Sequence, residues 1–178
     1  PWGKASPAHL PGEDEAADFY LACVQALGAR GFAQYEISNF AKPGYESRHN
    51  LLYWNCQHYL GLGPHAHSCL GGRRFFCPQG TAQFLSGPAA YQQDGACTRE
   101  DYIMLQLRLS SGLSLRALKR KWGRGFTQKQ MAFLQTLCSH GLAAFDGDVL
   151  RLLPQGMLLQ NSIPVSYTHL TLPTTPYV

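Results

Sequence analysis

His65, His67 and Cys69 alternate along the chain, with Cys56 and His58 a short way upstream. Imidazole and thiolate are the ligands that zinc and heme iron prefer. In an extended segment, alternate side chains point the same way, so this run offers a zinc or heme-iron site. The spacing is not that of a zinc finger, and short His-x-His pairs also occur on ordinary strands. Arg48-His49-Asn50 brings a fixed cation, a titratable ring and an amide together. Arg48 can clamp a carboxylate through two parallel hydrogen bonds, and His49 can ligate iron or carry a proton. The alternative is a solvated surface loop that Tyr53-Trp54 anchors. Gly61 and Gly63 let backbone approach a ligand closely, since no Cβ intervenes, although the same pair marks any tight turn.

A strand expected over 32–40 has to position the first of these groups. Glu36 and Ser38 share one of its faces, and Tyr35, Ile37 and Asn39 the other. In a parallel barrel, Ser38 and Asn39 would stand at a strand's C-terminal end, where such folds build their sites; otherwise they only cap it. Residues 45–57 read as an irregular polar-aromatic loop, and 58–62 and 73–77 as short strands around Gly-rich turns. Upstream, 13–30 reads as a helix with Ala16, Phe19, Tyr20, Cys23, Val24 and Leu27 at three- and four-residue steps. Glu13, Asp14 and Glu15 lie at its N-terminus, where the helix dipole favours them.

A composition shift near residue 95 predicts a second module. Thr98 caps a helix whose apolar stretch covers 102–109. A short basic helix follows over 113–122, then a third over 127–140 that Gly141 ends. A hairpin over 142–153 turns at Asp146-Gly147-Asp148, and Pro154 starts a last helix over 155–162. Three helices followed by a two-stranded wing are winged-helix-like. Arg116, Lys119, Arg120, Lys121 and Arg124 suggest a DNA-reading helix. The net charge of +4 on 178 residues is small, and favours a solvated face that covers the barrel.

At 45% apolar and 15% charged, the composition is that of a soluble globular protein. No apolar run is long enough to span a bilayer, and Pro1-Trp-Gly-Lys lacks the apolar core of a signal peptide. The six cysteines form no CxxC pair, which argues against a disulfide framework and fits a reducing compartment. Residues 164–178 back-translate to a sequencing adapter read in frame, and are expected to be non-native rather than a real Thr/Pro-rich tail.

Three strings share one order: Tyr35-Glu-Ile-Ser-Asn-Phe-Ala-Lys-Pro-Gly44, Arg48-His-Asn-Leu-Leu-Tyr-Trp54 and Tyr59-Leu-Gly-Leu-Gly-Pro64. From about residue 11 to about 163 the chain resembles the heme chaperones of the HemW type. These form a branch of the radical S-adenosylmethionine superfamily related to oxygen-independent coproporphyrinogen III oxidase. The resemblance implies an α/β fold: the C-terminal part of an open (β/α) barrel over 1–94, then a HemN-type, helical, winged-helix-like domain over 95–163. It further implies a [4Fe-4S] cluster, bound S-adenosylmethionine and bound heme, a cytoplasmic location, and a heme-acceptor protein as partner. Neither a membrane span nor a nucleic-acid partner is expected.

By this resemblance Asn39, Arg48, His49 and Asn50 lie near the ligand, and Gly61, Gly63 and His67 line the loop. Arg48 would hold a carboxylate and His49 or His67 the iron; no catalytic nucleophile is implied. Two departures stand out. The family's Cys-x3-Cys-x2-Cys motif is absent, and His65 replaces a customary Gly. One alternative is a decarboxylase, in which a 5′-deoxyadenosyl radical takes hydrogen from the propionates of coproporphyrinogen III. Another is a nucleic-acid binder centred on 98–153. Half a barrel would leave strand edges open, so poor solubility is expected.

Overall fold

The computed structural model describes residues 10–160 and Ile163. Helix α1, Glu13–Gly28, starts where the Gly12 N–H donates to the Glu15 carboxylate at 2.9 Å. Its expected inward stripe is only partly covered. Phe19 is exposed, while the Tyr20 hydroxyl reaches Met157 Sδ and accepts from Gln34.

The single strand expected over 32–40 is instead a hairpin. Strands β1, Ala33–Glu36, and β2, Asn39–Ala41, pair antiparallel, with Ala33 opposite Ala41 and Glu36 opposite Asn39. The Glu36 carboxylate accepts from the Ser38 N–H at 2.8 Å and from the Asn39 amide, which folds the chain back over it. Ser38 therefore occupies the turn rather than the mouth of a parallel strand. The loop expected over 45–57 contains a helix, α2, Arg48–Trp54. Ser47 caps it, with Oγ accepting from the Asn50 N–H at 3.3 Å.

The strand expected over 58–62 reduces to one bridge, Tyr59 to Cys69. The partner strand is β3, His67–Leu70, which continues antiparallel into β4, Arg73–Phe76. Gly71 and Gly72 join them with φ of 57° and 75°, the conformation a two-residue hairpin turn requires. After a short helix α3, Thr81–Ser86, strand β5, Gln92–Ala96, completes the sheet in the order β3-β4-β5. Every residue of β5 is exposed, so no alternation announced it.

Residues beyond 97 build the main core. Helix α4, Arg99–Gln106, has a capping box between Thr98 and Asp101. Strand β6, Leu113–Ser114, precedes α5, Leu115–Trp122, whose first turn the Ser114 hydroxyl caps. Gly123 ends α5 at φ 71°. Helix α6, Gln128–Ser139, uses Thr127 and Gln130 as its capping box. Strands β7, Ala143–Phe145, and β8, Val149–Leu152, form the expected hairpin, and β6 adds a third strand in the order β6-β8-β7. Leu107, Leu113, Leu118, Leu134 and Leu150 fill the space between helices and sheet. Helix α7, Pro154–Leu158, closes this core; a Cβ on Gly156 would run into the Leu142 carbonyl. The expected last helix continued through 161 and 162. Those residues, the lead 1–9 and the 164–178 tail lie outside the described residues.

The fold is thus mixed α/β, and every strand pair among the described residues is antiparallel. At the wing tip, N–H groups of Val149 and Asp148 and the Arg151 guanidinium hold the Asp146 carboxyl well down, at about 2. A depressed carboxyl contributes stability that is present above its unfolded value, 3.8, and is lost as pH falls toward about 2. Asp146→Asn should flatten the stability profile across that window in urea titrations. A profile as steep as the wild type's would assign the acid sensitivity elsewhere.

Candidate functional site

Arg48, His49 and Asn50 occupy the first turn of α2, so the helix, not a loop, sets their spacing. Arg48 and His49 are exposed, while Asn50 is half-buried and its N–H is used by the Ser47 cap. His49 Nε2 lies 2.7 Å from the Tyr53 hydroxyl, one helical turn on, and the two rings meet edge to face. In the tautomer whose Nε2–H donates to Tyr53, Nδ1 carries the lone pair that a metal would take. Tyr53 in turn packs edge-on against Tyr59, which bridges to Cys69 in β3. An aromatic chain therefore connects the helix to the sheet that carries His67.

His67 is exposed at the start of β3. Its ring stacks on Phe76 with centroids 5.0 Å apart, and Nδ1 stands 3.4 Å from the Asp94 carboxylate on β5. A carboxylate at one imidazole nitrogen orients the ring and leaves the other to a ligand. Gly61 and His67 come together, because the Gly61 N–H donates to Ser68 Oγ at 3.0 Å. A Cβ on Gly61 would strike the His67 carbonyl oxygen and come within 3.0 Å of Ala66 Cβ. Gly63, at φ 110°, faces open space; its role is conformational.

The alternating His65-His67-Cys69 face is not formed. His65 has φ 57°, a left-handed conformation that breaks the extended run, and Cys69 is buried while His67 is exposed. Among the described residues, no three His, Cys, Asp or Glu gather as a metal ion would need. Asn39 is engaged by Glu36, so its amide braces the hairpin.

Three features escaped the sequence reading. Phe32, Phe40, Ala41 and Tyr45 line an open cavity of about 430 Å³ with Lys42 beside them. The Lys42 ammonium lies 5.6 Å from the Phe32 ring centre. Secondly, Glu36, at 0% exposure, pairs with Arg108 at 3.4 Å, and the Arg108 guanidinium stacks 4.5 Å above Trp54 at the end of α2. The third is backbone stitching. The Ile37 N–H donates to the Arg108 carbonyl and the Ser110 N–H to the Tyr35 carbonyl. The Gln106 amide donates to Trp54 O and Asn55 Oδ1, both at 3.0 Å. Together these fix the hairpin and α2 against α4.

Residues 90–159 match the family described as the HemN C-terminal domain. The heme chaperone HemW of Bacillus subtilis is 34% identical over 163 residues, 87% of this chain and 43% of its own. The chain is thus similar to HemW heme chaperones and contains a HemN C-terminal domain. The heme chaperone HemW of Mycobacterium tuberculosis agrees, at 34% over 161 residues, 86% of this chain and 39% of its own. The chain therefore spans about two-fifths of the length of these curated HemW relatives. Coproporphyrinogen III oxidase (HemN) from Escherichia coli, described as a radical SAM enzyme, shares the fold. The TM-score is 0.66 at 21% identity, over 95% of this chain and 44% of that one. Among the described residues, no helix is long and apolar enough to cross a membrane.

Proposed function

We propose that this chain supplies heme-facing residues to a HemW-type heme chaperone of the radical S-adenosylmethionine superfamily, working in the cytoplasm and passing heme to an acceptor protein. The observation that carries the reading is His49. It stands exposed on the first turn of α2, with Tyr53 holding one ring nitrogen and the other open. Heme asks for three things: an iron ligand, apolar surface against the macrocycle, and cations for the propionates. His49 or His67 answers the first. The aromatic cavity lined by Phe32, Phe40 and Tyr45 supports the second. Arg48 and Lys42 support the third, with Arg48 next to His49 on the same turn.

The [4Fe-4S] cluster does not fit the residues present. The chain has no Cys-x3-Cys-x2-Cys run, and the described residues gather no set of three metal-binding side chains. The cluster and S-adenosylmethionine thus belong, in this proposal, to the longer relatives. The nucleic-acid reading gains no support from the geometry. In a helix-strand-helix-helix order the reading helix is α6, whose basic residue is Lys129 alone, and Asp146 and Asp148 sit at the wing tip. Arg116 is moreover paired with Asp148 at 3.1 Å.

A porphyrinogen assay separates chaperone from oxidase. The chain joined to the upstream sequence of its gene, with any cluster reconstituted anaerobically, should bind heme stoichiometrically and leave coproporphyrinogen III unchanged. Decarboxylation that requires the cluster and S-adenosylmethionine would make the parent an oxidase instead.

A further inference from the structure

Cys56 follows the C-cap of α2, and Cys97 lies between β5 and the Thr98 cap of α4. Their sulfurs are 2.8 Å apart across 41 residues of sequence. Cys56 has φ 49°, an unusual conformation for a residue with a Cβ. It is held there by hydrogen bonds from its own N–H to the Tyr53 carbonyl and from the Gln57 N–H to the Leu52 carbonyl. The Cys97 N–H donates to the Gly72 carbonyl in the β3–β4 turn. Both thiols are half-buried and reduced. Two backbone segments thus present their sulfurs to each other, close to the separation of about 2 Å that a covalent bridge needs.

We propose that Cys56 and Cys97 form a reversible disulfide, with low-molecular-weight disulfides of the glutathione class as oxidant, and that this bond latches α2 to the start of α4. The Cys97 thiolate attacks the small disulfide, forming a mixed disulfide and releasing one small thiolate. Cys56 then gives its proton to solvent and attacks the Cys97 sulfur, expelling the second small thiolate. Two cysteine thiols lose two electrons and two protons, and one small disulfide becomes two thiols. Burial and the neighbouring Cys97 push the Cys56 thiol up to about 12, which disfavours Cys56 as the first attacker; once Cys97 is in the mixed disulfide it no longer opposes a charge on Cys56. The latch closes just past the C-terminal end of the helix whose first turn carries Arg48, His49 and Asn50, yet needs no heme to form.

The test is peptide mapping of the 178-residue chain after equilibration with glutathione disulfide, the thiols still free at that point being alkylated before digestion. A Cys56–Cys97 linked peptide should dominate, with Cys23, Cys69, Cys77 and Cys138 still alkylated. Amide exchange in residues 48–56 should slow about tenfold in the oxidised form and return with dithiothreitol. Cys56→Ser should instead stop at a glutathione adduct on Cys97, and Cys97→Ser should leave Cys56 unmodified. All six thiols staying alkylated, a different linkage, or a stable glutathione adduct on wild-type Cys97 would each overturn the proposal. The wild-type map decides this even should a variant fail to fold.

Discussion

Arg108→Ala should lower the free energy of unfolding by about 3 kcal/mol, measured by urea denaturation at neutral pH. Glu36 is wholly buried, and its partner 72 residues away is this one guanidinium. Truncation strands a carboxylate away from water, and a buried ion that has lost its counter-charge is among the costliest defects a point change produces. The Ser38 N–H and the Asn39 amide still donate to Glu36, which places the loss at the lower end of the range for such pairs. The same change removes the stacking of Arg108 on Trp54 and loosens the end of α2. Replacing the pair together, as Glu36→Gln with Arg108→Met, should recover most of the loss. A single-variant effect below about 1 kcal/mol would mean that the pair does not hold the hairpin to the helical module.

Gly61→Ala should be nearly as damaging, at about 2–3 kcal/mol, because the obstacle is backbone. The new methyl meets the His67 carbonyl and Ala66, and neither can rotate aside as a side-chain tip would. Strand β3 has to shift, carrying His67 from its place between Phe76 and Asp94. Gly63→Ala is the control. It has open space and only an unfavourable φ of 110°, so about 1 kcal/mol is expected. Equal effects at 61 and 63 would show that conformation, not the close approach, makes Gly61 necessary.

What the sequence disclosed follows from where the determining forces act. Helices α1, α4 and α6 and the β7–β8 hairpin were legible, because the cap at Thr98, the turn at Asp146-Gly147-Asp148 and the apolar spacing are all local. Helix α2 was hidden by its length and by the Pro43-Gly44 run before it, although Ser47 is an ordinary capping residue. The β1–β2 turn was hidden because Glu36 organises it, and a buried carboxylate there makes sense only once Arg108 arrives from far along the chain. Strand β6 has two residues, too few for any period to show.

The site was half legible. Arg48-His49-Asn50 was singled out as a group, and the structure places all three on the first turn of α2. His67 was identified, but Asp94, its carboxylate partner, lies on a strand with no apolar pattern. The shared face of His65, His67 and Cys69 assumed an extended backbone, which the positive φ at His65 rules out.

The proposed heme site rests on a histidine on α2 or β3. The direct measurement is an absorbance titration with hemin of wild type beside His49→Ala and His67→Ala. A saturable Soret shift at one heme per chain is expected, with a weakening of about tenfold or more in the variant that has lost the iron ligand. Absence of saturable binding by the wild type, or binding unchanged in both variants, would contradict it.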